Sequence, residues 1–169
     1  MPRNPRDFRF IEERLRKMTF GILSTVNPGG SLQTTGILYG VSPPGAGFRL
    51  YLLTDQGYLK VRNILKNPEI SFLVPYPHHL LRFVPASCIS FPGTAEIVPE
   101  DDPEARGAFQ ASRILRMNLE QTSSMEEAVF IKIRPKRRMH CYGVGFGVME
   151  LSRHPSEAGY SVEVPSDRL

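Results

Sequence analysis

Short apolar segments, separated by proline- and glycine-rich turns, run through most of the sequence and limit the chain to a sheet-rich fold. The segments are rich in β-branched and aromatic residues, and turn residues occupy 27–30 and 43–47. Such spacing is typical of the strands of an antiparallel barrel or sandwich. The first two strands should form a hairpin, and Pro92 and Gly93 predict a bulge or an edge position in the fifth. The predicted strands cover residues 21–26, 31–42, 48–54, 69–75, 87–98 and 128–133, with a seventh at 139–149.

Three other segments have the pattern of helices. Apolar side chains recur every three or four positions over residues 8–18, which predicts an amphipathic helix. Residues 58–66 leave room for a short helix that Asn67 and Pro68 close. Acids and a proline from Asp101 onward predict the start of a third helix. The predicted buried positions are Phe8, Ile11, Leu15 and Met18 in the first helix and Ala108, Ala111, Ile114, Leu115 and Leu119 in the third.

Length and composition favour one globular domain. The chain has 169 residues, of which 41% are apolar and 22% charged. No stretch approaches the roughly 20 apolar residues that a membrane-spanning helix needs, and no secretory signal is visible, so we predict no membrane partner. Two cysteines are too few for a disulfide scaffold, which favours a reducing cytoplasm. We predict one domain over residues 1–150 and a weakly tethered tail over 151–169.

A mild excess of positive charge is compatible with phosphorylated ligands or nucleic acid. The 21 basic and 17 acidic side chains give a net charge of +4. The basic residues that follow the sixth strand have no aromatic neighbours on which bases could stack. We therefore expect a solvated strand end or a contact to a phosphorylated ligand there, and no nucleic-acid partner. The basic run consists of Lys132, Arg134, Lys136, Arg137 and Arg138.

The histidines do not form a recognisable metal site. His78 and His79 are adjacent in a proline-rich loop, so we expect both to be exposed rather than to bind a metal. His140 and Cys141 could ligate haem, but neither has a partner that is visible in the sequence, and we predict structural burial for the pair. The sequence predicts no metal ligand set.

A motif in the middle of the chain carries a family resemblance. A strand that ends in Thr54 is followed by a turn that contains Gly57 and Lys60, a short helix, an Asn-Pro pair and an apolar strand up to Tyr76. This order resembles the central motif of the pyridoxamine 5'-phosphate oxidase-like FMN-binding split-barrel family. In that family the strand ends in threonine and the turn reads Gly-Ser-x-Lys.

The resemblance extends over most of the chain and implies a fold. Residues 21–38 are similar to the first two strands of the family and residues 92–98 to its Gly-x-Ala strand, so the similarity spans roughly residues 10–135. It implies a mainly β fold, a six-stranded antiparallel split barrel with a few short flanking helices. It also implies a homodimer that binds FMN at the subunit interface.

The resemblance assigns three residues near the phosphate of the cofactor. Lys60 matches the family's phosphate lysine, at the start of a helix whose free amide groups also favour an anion. Without the motif, Lys60 would be predicted to be a solvated surface lysine. Thr54 could contact the phosphate or the ribityl chain, or simply end its strand. Tyr58 occupies the position of the usual serine.

The second strand is implied to pass along the flavin ring with Thr35, Gly36, Ile37 and Leu38. Thr35 stands where many family members have an arginine, and one hydroxyl does not replace the bidentate contact of an arginine. Arg62 could compensate, but it lies two positions from Lys60 and the two do not share a helix face.

The predicted function is that of an FMN-binding flavoprotein, an oxidoreductase that passes a hydride or electrons between a reduced donor and a small organic acceptor. The cofactor carries such chemistry, so no catalytic side chain is named. One alternative is a deazaflavin-dependent reductase, whose acidic cofactor tail the basic run could bind. Another is a non-catalytic flavin- or haem-binding module.

Oxidation of pyridoxamine phosphate itself is not predicted. That oxidase has a C-terminal substrate segment with tryptophan, arginine and histidine, whereas this chain has no tryptophan. Residues 139–149 do not resemble the segment. Their glycines at 143, 145 and 147 predict a strand or loop near the barrel, because no strand–turn–helix unit is expected around them.

Overall fold

The computed structural model describes residues 7–77, 84 and 86–169. His78 and His79 lie outside the described residues. Within them the strands are β1 (Phe20–Val26), β2 (Leu32–Leu38), β3 (Gly40–Val41), β4 (Leu50–Asp55), β5 (Glu69–Tyr76), β6 (Ser87–Pro99), β7 (Ala128–Pro135), β8 (Arg138–Tyr142) and β9 (Gly159–Glu163). The α-helices are α1 (Phe8–Lys17), α2 (Leu59–Lys66), α3 (Pro103–Gln110), α4 (Arg113–Glu120) and α5 (Val148–Arg153).

The strands form one antiparallel sheet that curls into a half-barrel. Seven strands follow the order β2-β1-β5-β6-β7-β4-β3, and β8 and β9 branch from β6. The two strands β2 and β4 approach each other without sharing a ladder, so the seam of the barrel lies between them. The predicted fold class is confirmed. The described residues form nine strands rather than six, because the second predicted strand is divided at Tyr39 and the C-terminal region adds two strands.

The predicted hairpin of β1 and β2 is confirmed, and its turn follows from local chemistry. The Asn27 side chain accepts the amides of Gly29 and Ser31, both at 3.0 Å. Gly30 has a φ of +84°, a conformation that glycine adopts without steric cost. Side chains of β1 alternate between the two faces of the sheet, and Leu23 and Thr25 point into the barrel.

Of the two alternatives predicted for Pro92 and Gly93, a bulge or an edge position, the bulge is wrong. The register between β5 and β6 is continuous from Glu69 opposite Thr94 to Tyr76 opposite Ser87. On its other edge, β6 pairs with β8 up to Ser90 and with β7 from Gly93 onward. Pro92 therefore lies where β6 changes partners, a position at which the missing amide of proline is tolerated.

The predicted first two helices are confirmed as α1 and α2, but the third is two helices. The helix is interrupted at residues 111–112, between α3 and α4. As a result, α4 buries a different set of side chains from the one that a continuous helix would bury. Ala108, Leu115 and Leu119 are buried as predicted, whereas Ala111 is exposed and Ile114 is 57% exposed. The prediction for these two residues is wrong because it extended one helical period across the break.

The predicted strand at 139–149 ends at Tyr142. A loop over residues 143–147 follows, and then α5 begins at Val148. Gly143 and Gly145 have φ values of +68° and +87°, which a strand does not accommodate. A strand–loop–helix unit therefore does surround these glycines, contrary to the sequence-based expectation, although β8 has only antiparallel neighbours.

The expectation of a weakly tethered C-terminal tail is wrong. The strand β9 pairs along the whole of β8, and the Phe48 amide donates to the carbonyl of Arg168 at 2.7 Å. The Glu12 carboxylate of α1 accepts from Arg168 at 2.7 Å and from Arg16 at 2.6 Å. These contacts hold the end of the chain against α1.

Aromatic rings fill the barrel, and helices cover it. The ring of Phe72 packs between Tyr39 and Phe91, with centroid distances of 5.4 and 5.9 Å. The Tyr39 hydroxyl donates to the carbonyl of Leu15 at 2.7 Å, which joins α1 to the sheet. A second apolar cluster lies between the outer face of the sheet and the helices α3 and α4. In the part of the chain that the structure describes, no helix has the length and apolar character needed to span a membrane.

The Glu12 clamp, which consists of the ion pairs of Glu12 with Arg16 and Arg168, predicts a stability effect. Replacing Glu12 by glutamine removes the charge between two guanidinium groups that are only 25% and 22% exposed. We expect the free energy of unfolding in urea to fall by about 1–3 kcal/mol. Glu100→Gln is the control, because Glu100 pairs at 3.5 Å with Arg106 and the two side chains are 41% and 45% exposed; it should cost under about 0.5 kcal/mol. Equal losses in both variants would contradict the clamp.

Candidate functional site

The turn between β4 and α2 brings Lys60 back over Tyr58. The Asp55 carboxylate accepts the amides of Gly57 at 2.8 Å and Glu126 at 2.9 Å, which fixes the turn. These hydrogen bonds, that of Gly57 first, hold the pKa of Asp55 below its usual value. The Lys60 ammonium lies 4.4 Å from the centroid of the Tyr58 ring. The predicted pair Tyr58 and Lys60 is thus in contact.

The start of α2 has no cap. Tyr58 is the N-cap residue and makes no side-chain capping hydrogen bond, and the first turn contains no acidic residue. The amides of Leu59 and Lys60 have no acceptor within the helix because of their position. The helix end therefore presents free donors and partial positive charge, which favour an anion.

Lys60 is a partly buried cation. Burial lowers the pKa of its ammonium group, and the charge of Asp55 raises it by a smaller amount. No salt bridge to Lys60 occurs among the described residues, whereas Asp55 uses its oxygens on backbone amides. An anion bound here would offset the lost hydration of the lysine.

Thr54 lies at the end of β4 and points toward the barrel interior, as Leu50 and Leu52 do. The residue is 3% exposed, and its hydroxyl is buried with no hydrogen-bond partner. An unpaired buried hydroxyl costs about 1–3 kcal/mol.

A polar network under α2 was not predicted. Asn63, which is 1% exposed, donates to the Thr25 hydroxyl at 3.0 Å and to the Gln33 side chain at 3.2 Å. Its own side-chain oxygen is buried without a partner. The network ties α2 to β1 and β2. A threonine at an inward position of β1 was the only signal of it in the sequence, and that signal does not identify the partner.

The second strand divides its predicted residues between two faces. Thr35 lies opposite the buried Leu23 and Ile37 opposite Gly21, so both face the barrel side. Gly36 and Leu38 face outward beside Phe20. A Cβ on Gly36 would lie 2.7 Å from the Phe20 ring, so the ring occupies the space that a side chain at position 36 would need.

Arg62 is exposed and does not join Lys60. Two positions in a helix are separated by about 200° of rotation, so the side chains project to different sides. Arg62 therefore does not replace the arginine that many family members have at the position of Thr35. Thr35 itself donates only locally, to the carbonyl of Gly36 at 3.4 Å.

The His140–Cys141 pair is divided by strand alternation. His140 is exposed, with its Nδ1 atom 3.2 Å from the Ser161 hydroxyl, so the predicted burial is wrong for this residue. Cys141 is buried, and burial raises the pKa of its thiol to about 12. The thiol therefore stays protonated. Both cysteines are free, and no cluster of three metal-ligating side chains occurs among the described residues.

Acidic side chains pair with four of the five basic-run residues in the described part of the chain. This pairing leaves the run little free charge for an anionic ligand. The ion pairs are Lys132 with Glu104 at 3.5 Å and Glu96 at 3.9 Å, Arg134 with Glu96 at 2.7 Å, Lys136 with Glu69, and Arg137 with Glu163 at 3.1 Å.

Solved structures share this fold. The conserved hypothetical protein Rv2991 from Mycobacterium tuberculosis has a TM-score of 0.61 and 21% identity, over 86% of this chain and 87% of that one. The haem storage protein HutZ from Vibrio cholerae has a TM-score of 0.65 and 16% identity, over 82% and 96%. A haem-binding protein from Mycobacterium smegmatis has a TM-score of 0.60 and 20% identity, over 76% of this chain and 50% of that one. No curated protein matches the sequence.

The sequence profile described as pyridoxamine 5'-phosphate oxidase matches residues 9–141. This span includes the strands β1 to β7, the helix α2 and nearly all of the polar groups described above. It agrees with the resemblance that the motif around Lys60 indicated. The chain therefore belongs to the pyridoxamine 5'-phosphate oxidase family.

Proposed function

We propose that this protein is an FMN-binding flavoprotein with oxidoreductase activity. Lys60 and the free amides at the start of α2 hold the phosphate, and Thr54 contacts the phosphate or ribityl chain. The second strand, with Thr35 and Ile37 on one face, runs beside the ring. Bound FMN would supply hydride or electron transfer between a reduced donor and a small organic acceptor.

The observation that carries the proposal is the state of Lys60. Its ammonium group is partly buried beside an uncapped helix start, and burial lowers its pKa. Such an arrangement costs free energy in the isolated chain and is relieved by an anion. The phosphate of FMN is a dianion near neutral pH and suits both the lysine and the amides.

The remaining residues fit FMN in part. The unpaired Thr54 hydroxyl is a hydrogen-bonding group without a present function, so it suits a polar cofactor chain. The absent arginine at Thr35 leaves the phosphate with one nearby cation instead of two. We therefore expect the phosphate to contribute less binding free energy here than it would if a bidentate arginine held it.

Two alternatives remain open to test. Haem binding is favoured by the names of two similar structures, a haem storage protein and a haem-binding protein, and the exposed His140 would supply a ligand. His140 lies on β8, which pairs with β6 and β9, whereas Lys60 lies on α2 after β4, so the two ligand sites would be built from different elements. A deazaflavin with an acidic tail would need free cations, and the ion pairs of the basic run argue against it.

We also propose a homodimer with the cofactor at its interface. Phe20, Leu38, Ile114 and Met117 form an outer apolar patch beside β2, and the first, third and fourth are 45%, 57% and 52% exposed. A groove of about 240 Å³ runs between Leu38 and α4. Large adjoining apolar side chains of this kind are typical of surfaces that a partner covers. A second copy would cover the outward face of β2, the end strand of the sheet. Thr35 and Ile37 lie on the other face of the same strand, so the cofactor would lie at the margin of the interface.

Removal of the Lys60 charge tests the phosphate site. In Lys60→Ala we expect the Kd for FMN, measured by quenching of flavin fluorescence, to rise at least tenfold, since a charge-assisted phosphate contact is lost. Lys66→Ala, at the other end of the same helix, should change it less than twofold. Riboflavin lacks the phosphate, so its Kd should be nearly equal in wild type and Lys60→Ala.

Three results would contradict this site. Equal weakening of riboflavin and FMN in Lys60→Ala would remove the phosphate role. A protein that ignores FMN but takes up haem, with a Soret band, would favour haem storage. Deazaflavin binding that excludes FMN would favour the deazaflavin reductase.

The two buried threonines permit a matched test of Thr54. Thr54→Val removes an unpaired hydroxyl and should raise the free energy of unfolding of the FMN-free protein by about 1 kcal/mol. It should also weaken FMN binding several-fold. Thr25→Val removes a hydroxyl that accepts from Asn63, so it should lower stability instead. Unaltered FMN affinity in Thr54→Val would exclude a cofactor contact.

The homodimer is tested by charge placed in the outer apolar patch. In Ile114→Asp we expect the mass measured by light scattering to fall from that of a dimer toward that of a monomer, because a buried unpaired carboxylate opposes association. Met149→Asp is the control, since Met149 is 65% exposed on α5 and lies outside the patch. A wild-type protein that is monomeric at micromolar concentration would contradict the proposal.

A further inference from the structure

A second cavity lies at the end of the barrel remote from α2. It has a volume of about 370 Å³ and lies between α1, the end of β5 and the loop that follows β8. Asn63 of α2 reaches Thr25, which pairs with Ile70 near the start of β5, whereas Tyr76 ends the strand. Six residues of strand separate these points by about 20 Å. The residues that line the cavity are Arg14, Tyr76, Ser87, Gly143, Val144, Gly145, Phe146 and Gly147.

Arg14 is the one charged side chain among the described residues that line this cavity. Its guanidinium group stacks on the Phe10 ring at 4.9 Å from the centroid, which restricts its orientation. It forms no salt bridge within the described part of the chain. By contrast Arg16, two positions along the same helix, is paired with Glu12. Arg14 thus supplies one uncompensated positive charge at the cavity.

The loop over residues 143–147 supplies backbone donors. Gly143 and Gly145 have φ values of +68° and +87°, and Val144 between them has a negative φ, since no non-glycine residue has a positive one in the described chain. Successive amides of a loop with alternating φ converge on a concave side that favours anions. The amides of Val144 and Gly145 have no acceptor among the described residues.

Neighbouring contacts hold the loop in this form. The Gly143 amide donates to the carbonyl of Ala158 at 2.9 Å, and the Tyr160 hydroxyl donates to the carbonyl of Val144 at 2.7 Å. A Cβ on Gly143 would lie 2.6 Å from the Ser87 hydroxyl oxygen, so the backbone approaches β6 closely. The loop is therefore built for this geometry and is not an open linker.

Among the described residues, the other side chains that line the cavity are apolar or aromatic, with the exception of Ser87. Phe146 and Tyr76 are partly buried and contribute aromatic rings, and the Tyr76 hydroxyl oxygen is buried away from solvent. Val144 is 5% exposed and packs in the barrel core. One guanidinium group, a few amides and apolar walls suit a monoanion with an apolar body better than a phosphate dianion. The volume is at the lower end of the range for small-molecule sites.

We propose that this cavity binds a small organic monocarboxylate, with its carboxylate on Arg14 and the loop amides and its apolar part against Phe146 and Tyr76. The site is separate from the proposed FMN site and does not depend on Lys60. It provides the protein with a second ligand position at the opposite end of the barrel.

Benzoate is a suitable probe, and benzyl alcohol is its neutral counterpart. Titration of benzoate into the ¹⁵N-labelled full chain should give saturable shifts of the Val144 and Gly145 amides, whereas benzyl alcohol should give little change. In Arg14→Gln we expect the benzoate Kd to rise at least tenfold, because the charge-assisted contact is lost. Arg9→Gln, on the same helix and 80% exposed, should leave it unchanged.

Several outcomes would overturn the proposal. These are an absence of saturable shifts with benzoate, an equal response to benzyl alcohol, and undiminished affinity in Arg14→Gln. Tighter binding of inorganic phosphate than of benzoate would contradict the assignment of a monocarboxylate to this site. Lys60→Ala distinguishes the two sites, since it should weaken FMN and spare benzoate. Loss of benzoate binding in Lys60→Ala would place the probe at the other end and refute this inference.

Discussion

The strand β6 holds three ladders together, and the shape of the molecule depends on them. It pairs with β5 along one edge and with both β8 and β7 along the other. The boundary between these two partners lies at Pro92. Proline has no backbone N–H group, so no ladder hydrogen bond is lost at this position. Beyond the branch, β7 leads through β4 to the seam of the barrel, and β8 leads to β9 and the C-terminal region. One long strand therefore determines both the curl of the sheet and the docking of the chain end.

This arrangement gives the two ends of the barrel different chemistry. At one end α2 presents an uncapped helix start, Lys60 and the Asn63 network. At the other end α1 and the loop after β8 surround a cavity with the guanidinium group of Arg14. Both ends offer a cation that forms no salt bridge among the described residues, whereas the basic run on the outside of the sheet is largely paired. Net charge alone could not distinguish these places.

Local patterns in the sequence predicted the elements that local forces determine. The helix α1, the helix α2 and the first hairpin follow from periodicity and turn chemistry, and the family motif located Lys60. Long-range contacts determined the rest. The break between α3 and α4 contains neither proline nor glycine, and β9 forms only because β8 offers it an edge. The Asn63 network joins positions 38 and 30 residues apart, so no sequence window contains it.

The distribution of unpaired polar atoms is itself an argument for a bound group at α2. Four side-chain oxygens are buried without a partner in the described chain, and two of them are the hydroxyls of Tyr51 and Tyr76. The other two, Thr54 Oγ1 and Asn63 Oδ1, belong to the end of β4 and to α2. Each costs about 1–3 kcal/mol, and valine or leucine at these positions would avoid that cost. The partly buried charge of Lys60 adds to this free-energy cost. A ligand at this place would account for the unpaired groups of Thr54 and Asn63 and for the partly buried charge of Lys60, because it would return the hydrogen bonds and the counter-charge that folding removed.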